Sequence, residues 1–252
     1  LRGIKDTIRP LWVAIGTALL NLGLELILIY GFDKKIGASA ASTVISQWVG
    51  ALIYLVWIWQ AIGKYKISLK PKFIVLIKLL RSSSELLIRN LSLTTSFIVA
   101  TAMAARLGNV DVAAHEVAFQ AWFFLAMSMD AIAIAAQALI GNLLGAGNAN
   151  EARKIGQRAI IWSIGIGVFT GSFLAIFHVP FAEIFSEDTA VIELASFLLL
   201  HVAIMAPLSG VAFALDGILI GAGDQRFLAK AMSLSAAISI PLMLLTVTFG
   251  LG

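Results

Sequence analysis

The 252-residue chain contains no cysteine, only three histidines, and charge on just 13% of its positions. Without cysteine there are no disulfides and no thiolate metal sites. The three histidines, His115, His178 and His201, have no partner at metal-ligand spacing. No Ser/His/Asp arrangement and no Gly-rich phosphate loop with its lysine occurs, so neither hydrolytic nor nucleotide-driven chemistry is indicated. The expectation is a non-enzyme without cofactor or metal. A soluble domain carries roughly 25% charged residues to solvate its faces, and this chain has about half that. What it has instead is 60% hydrophobic residues and a mean hydropathy of +0.96. Its charges cluster between long apolar runs, a pattern that needs an apolar solvent. The net charge of +4 does not point to nucleic acid, because the basic residues sit in short segments at the ends of these runs.

Seven runs are long enough to cross about 30 Å of hydrocarbon as helices: 10–32, 37–63, 83–107, 117–144, 158–179, 191–221 and 229–250. The fold class is therefore all-α, a polytopic transmembrane helical bundle. The basic stretch 64–82 lies between the second and third spans. Within it Phe73-Ile-Val-Leu-Ile77 has basic flanks, and reads equally as a short interfacial helix or as an extension of the third span. The tryptophans Trp48, Trp57, Trp59, Trp122 and Trp162 read mostly as interface-belt or packing residues.

With the N-terminus inside, every Lys and Arg except Lys34, Lys35 and Arg106 falls on the inner side. The segment after the fifth span carries Glu183, Glu187 and Asp188 instead. The positive-inside rule thus orients the chain N-in and C-out, in a cell (inner) membrane. That orientation is the reverse of a G-protein-coupled receptor. A retinal protein is excluded because 231–250 has no lysine for a Schiff base.

Leu1-Arg-Gly-Ile-Lys-Asp6 aligns with Leu219-Ile-Gly-Ala-Gly-Asp224 in Leu, Gly and Asp, each feeding an apolar span. The constant offset covers six spans and implies two parallel six-helix bundles. Residues 1–63 would supply the last two helices of the first bundle, 64–82 a cytoplasmic linker, and 83–252 five helices of the second. Leu1 is not a Met and Gly252 follows an apolar run, so both ends read as cut. This repeat is a transporter plan, shared with the major facilitator superfamily.

An ionised carboxylate at the bilayer centre costs roughly 2.5–3.5 kcal/mol on insertion scales, so it needs a partner, a proton or a task. Glu25 lies inside the first span, with Asn21 one turn away on the same face. An amide beside a carboxylate can share a proton or offer oxygens to a small hard cation. Ser39, Ser42, Thr43, Ser46 and Gln47 on the second span form a plausible facing wall. The competing reading is a protonated Glu25 that serves packing. Asp130 and Gln137 on the fourth span and Asp216 on the sixth divide evenly between a substrate or proton pathway and structural hydrogen bonding. The Ala/Gly pattern around Gln137 permits close helix approach. His115 and Glu116 lie near the outer surface, and Glu85 and Arg89 read as an i,i+4 ion pair.

Four segments resemble the multidrug and toxic compound extrusion (MATE) family, in particular its DinF-like branch. They are Leu1-Arg-Gly-Ile-Lys-Asp-Thr-Ile-Arg-Pro10, Ala104-Ala-Arg-Leu-Gly108 with Val112-Ala-Ala-His115, Gln137-Ala-Leu-Ile-Gly-Asn-Leu-Leu-Gly-Ala-Gly147 with Asn148-Ala-Asn-Glu-Ala-Arg153, and Leu215-Asp-Gly-Ile-Leu-Ile-Gly-Ala-Gly-Asp224. The resemblance implies that the seven spans are helices five to eleven of twelve. It also implies an H+- or Na+-coupled antiporter in the lipid bilayer, monomeric when full length, that exports small amphipathic organic compounds. The family's first-bundle cation site maps onto Asn21, Glu25 and Thr43, with Glu in place of the commoner Asp. The acids of the family's NorM-type second-bundle sodium site map onto Leu93 and Ser209, a departure that favours protons. A lipid-intermediate flippase and a non-transporting membrane scaffold are the alternatives.

Overall fold

The structure is a computed structural model that describes residues 8–31, 36–65 and 73–248. Leu1–Asp6 of the proposed repeat, Lys34 and Lys35, and most of the basic stretch after Tyr65 lie outside the described residues. Seven helices follow in order: α1 (Ile8–Leu26, continued by a π-helical turn over Ile27–Gly31), α2 (Ile36–Tyr65), α3 (Phe73–Leu107), α4 (Asn109–Gly145), α5 (Ala149–Phe185), α6 (Thr189–Ala222) and α7 (Gln225–Thr248). All seven are long and apolar enough to span a bilayer. The expected all-α transmembrane architecture is therefore the observed one. The chain divides into two compact units, Leu1–Phe73 and Ile74–Gly252.

The third span differs from one of its two readings. No separate interfacial helix forms at 73–77, because α3 runs unbroken from Phe73 to Leu107. No Gly or Pro interrupts residues 73–83, so nothing stops the helix there. Arg81 and Glu85 pair across the junction at 3.5 Å. Glu85 is therefore bonded to Arg81 and not to Arg89, whose guanidinium reaches α6 instead.

In the second unit α6 is the central helix, packed between α4 and α5. It is apolar all round, as a helix with no solvated face must be. Val191, Ala195, Leu199, Ala203, Ala206, Gly210, Ala214 and Gly217 are all buried along it. Lipid tails are as apolar as leucine, so burial alone gives helices in a bilayer little reason to associate. Small residues that let backbones touch supply van der Waals packing instead. Here Gly217 and Gly221 seat the α4 backbone: a Cβ on Gly217 would lie 2.7 Å from Ala133 Cα, and one on Gly221 2.7 Å from the Gln137 carbonyl oxygen. On the other side Gly167 and Gly171 of α5 face the Ala206 and Ala203 carbonyls, and Gly210 of α6 faces Ser163.

Local chemistry ends these helices where the sequence says it should. Gly223 adopts the left-handed conformation (φ 82°) that closes α6, and Asp224 Oδ1 accepts the Phe227 N–H at the start of α7. Asn148 Oδ1 accepts the Glu151 N–H at 3.3 Å and caps α5. Replacing Asn148 with Ala should cost about 1 kcal/mol, read as a lower midpoint for unfolding in detergent. Lys154 donates to Glu151 at 2.7 Å, and this hydrogen bond together with the ammonium charge holds the Glu151 carboxyl below its ordinary value. Pro180 has no N–H to offer the preceding turn, and α5 leaves helical geometry at Phe177 (φ −107°, ψ 17°).

Helix α3 joins this core through side chains rather than through close backbone contact. Phe97 meets Phe119 and Trp122 at ring-centroid distances of 5.3 and 5.2 Å. Thr101 lies 3.2 Å from His115 Nε2, and Ser92 lies 3.2 Å from Ser233 of α7. At the end nearer Phe73, Arg89 grips Asp216 with two nitrogens, Nε to Oδ1 at 2.9 Å and Nη2 to Oδ2 at 2.7 Å.

Candidate functional site

The first unit holds an open groove of about 550 Å3 between α1 and α2, lined by apolar and polar residues together. Helix α1 presents Thr17 and Asn21, one turn apart on a single face, and α2 presents Thr43, Ser46, Gln47 and Tyr54 at helical spacing. Val13 and Gly50 let the helices approach here; a Cβ on Gly50 would touch Thr17 Cγ2 at 3.0 Å.

Two polar atoms at this groove are buried without a partner among the described residues, Asn21 Oδ1 and Ser46 Oγ. A buried polar atom left unsatisfied costs free energy, so this groove favours an occupant that offers a proton or a positive charge. Thr43 donates to the Ser39 carbonyl of its own helix at 2.9 Å, which leaves its oxygen lone pairs available.

Glu25 is one turn beyond Asn21 but does not line the groove. Its Oε1 accepts the Ser39 hydroxyl at 2.7 Å. The Ser39 carbonyl in turn accepts the hydroxyls of Thr43 and Ser42, both at 2.9 Å, with Ser42 fully buried. Ser39 therefore links Glu25 to Thr43, while Asn21 and Thr43 both line the groove. The π-helical turn begins two residues after Glu25, a geometry that recurs at functional sites. Thr17 and Tyr54 were not among the expected residues. Thr17 carried a readable signal, since it lies four positions before Asn21.

The other expected residues are dispersed over the second unit. Asp130 is exposed on α4 and makes no hydrogen bond or ion pair with a described residue. Gln137 is half-buried, and its backbone forms the seat for Gly221. Asp216 is committed to Arg89, with 15% and 17% of the two side chains exposed. Among the described residues no cluster of His, Asp and Glu could hold a metal ion.

The MatE family model matches residues 86–245, most of the second unit and more than half of the chain. The chain belongs to the MatE family. Protein DETOXIFICATION 44, chloroplastic, of Arabidopsis thaliana is 34% identical over 99% of this chain and 48% of its own length. The probable multidrug resistance protein NorM of Pasteurella multocida is 30% identical over 82% of this chain and 47% of its own length. The chain thus spans about half the length of the curated relatives it matches. A crystal structure of a mutant of the Vibrio cholerae MATE transporter VcmN superposes with a TM-score of 0.71, covering 99% of this chain and 64% of that one at 19% identity. The same transporter in its bent form gives 0.67 at 21% identity. At such identities the likeness establishes the fold. The MatE chain is accordingly a multi-pass membrane protein of a multidrug-efflux transporter family, and not an enzyme.

Proposed function

We propose that this MatE chain forms part of a cation-coupled secondary antiporter that exports amphipathic organic compounds, with Glu25, Asn21 and Thr43 as its coupling residues. The observation that carries this reading is the pair of unpartnered buried oxygens, Asn21 Oδ1 and Ser46 Oγ, in the α1–α2 groove, with Asn21 one turn from a carboxylate held by Ser39. A packing role for Glu25 accounts for the Ser39 bond but not for the unpartnered Asn21 oxygen one turn away. Protons are the preferred coupling ion, since Leu93 and Ser209 stand where a second-bundle sodium site would need acids. The unpaired, exposed Asp130 is placed to attract a cationic substrate group, whereas Asp216 is already neutralised by Arg89. Residues 1–63 and 83–252 would belong to two bundles whose reorientation gives alternating access. The charge bias supports an orientation with Arg153, Lys154, Arg158, Arg226 and Lys230 in the cytoplasm of a cell membrane.

The test is efflux from cells expressing the complete protein. Glu25→Gln keeps the size and the Ser39 contact but removes the charge. Gradient-driven efflux should fall at least tenfold while the amount in the membrane stays constant. Efflux that keeps its rate and its dependence on the cation gradient in this variant would overturn the role of Glu25.

A further inference from the structure

Antiparallel helices α4 and α5 leave a second groove between them, on the outer surface of the second unit, with a volume of about 430 Å3. Ile132, Ala135 and Leu139 form one wall, and Ile155, Arg158 and Trp162 the other. Both sets recur every three to four positions, so each is one face of its helix. The groove extends along α4 from Leu139 to Ser128, roughly 16 Å at 1.5 Å per residue. That is about half of a 30 Å hydrocarbon core, the depth of one leaflet.

Almost all of the lining is apolar. The polar exceptions are Ser128, at the end away from the α4–α5 turn, and Arg158, about one turn in from Ile155 at the other end. Arg158 is exposed and makes no ion pair among the described residues. Glu151, two turns back, is bonded to Lys154, and the Arg158 charge acts on it only at longer range, as the smallest of the influences on that carboxyl. Trp162, one turn along the groove from Arg158, is 69% exposed. The continuation of the same seam into the opposite half of the membrane is chemically different. There Phe124, Phe169 and Phe173 line a wholly apolar cavity of about 280 Å3, and the end of α5 and the turn beyond it carry Glu183, Glu187 and Asp188. A guanidinium therefore lines only one of the two half-grooves.

We propose that the half-groove lined by Arg158 binds an anionic phospholipid, with one acyl chain along Ile132, Ala135 and Trp162 and the phosphate on the guanidinium. Charge complementarity selects this occupant. A neutral tail explains the apolar walls but not a cation without an ion pair among them, and a free anion explains the cation but not an apolar floor some three turns long. Basic pockets between spanning helices on the cytoplasmic side are suited to such headgroups. This inference is independent of the role proposed for Glu25.

Native mass spectrometry of the complete protein in detergent tests it, with phosphatidylglycerol and phosphatidylcholine of identical acyl chains competing for the protein. The wild type should prefer phosphatidylglycerol. Arg158→Gln should lower that preference about fivefold, equivalent to about 1 kcal/mol for one basic residue near the headgroups. Arg158→Lys should retain most of it. Arg153→Gln, which removes an exposed charge outside the groove, should leave it unchanged. Ala135→Phe, which projects a ring from an exposed position into the groove, should reduce occupancy by both lipids. The proposal is overturned if Arg158→Gln leaves the preference intact or if Arg153→Gln lowers it equally. It is also overturned if Ala135→Phe changes neither lipid, the result expected were another protein segment to cover the groove.

Discussion

Gly217→Leu is expected to abolish stable assembly of the second unit. The Cβ of any larger residue would lie 2.7 Å from both Ala133 Cα and its carbonyl carbon, closer than non-bonded carbons approach. The obstacle is backbone, so no rotamer change relieves it, and α4 must move away from α6. That separation would also unseat Gly221 from Gln137 one turn further on. Overpacking a core typically costs 1–3 kcal/mol where side chains can shift. Here they cannot, and a loss above about 4 kcal/mol is expected, in the range that marks a broken structural element. The contrast is Gly165→Ala on α5, where an added Cβ meets nothing within 4 Å. That change should stabilise the helix by about 0.5–1 kcal/mol through backbone entropy alone. Denaturant titration of the purified chain in detergent, followed by helix signal, distinguishes the two. Similar unfolding midpoints for both variants would contradict the close α4–α6 contact.

Asp216→Leu should have the next largest effect, and its signature is rescue. Arg89 and Asp216 meet through two charge-assisted bonds with little exposure, and Arg89 Nη1 also donates to Asn90 at 2.7 Å. Removing only the carboxylate leaves a guanidinium facing an apolar helix. Breaking a buried pair in this way costs about 3–5 kcal/mol, whereas replacing both partners with apolar residues is often neutral or stabilising. The double variant Arg89→Met/Asp216→Leu should therefore recover to within about 1 kcal/mol of the wild type. Efflux adds a second readout. If Asp216 serves only to neutralise Arg89, the double variant transports; a stable double variant without transport would assign Asp216 a role in the pathway.

How far these features were legible follows from the range of the physics involved. Glu25 and Asn21 stood out because a carboxylate and an amide one turn apart inside an apolar run are costly without a purpose, a fact local to one helix. Ser39 could be named as part of a facing wall, but its choice of Glu25 as acceptor depends on how α1 and α2 meet. Arg89 shows the limit more sharply. Helical spacing offered Glu85, four residues away. The structure gives Glu85 to Arg81 and gives Arg89 to a residue on α6. Of the two i,i+4 pairings of Glu85, the local rule favours the one with the acid first, Glu85–Arg89, and the packing of α3 against the bundle overrides it by giving Arg89 to Asp216.

By itself, then, the sequence determined that the chain crosses a membrane as about seven helices and where its charges gather. Run length and charge placement answer to the bilayer, which every residue meets independently of the others. The tertiary structure decided that Gly217 and Gly221 admit the α4 backbone, that Asp216 is spent on Arg89, and that the α1–α2 groove leaves Asn21 and Ser46 oxygens without partners. Those are relations between helices distant in the chain, set by backbone approach at distances that no periodicity within one helix encodes.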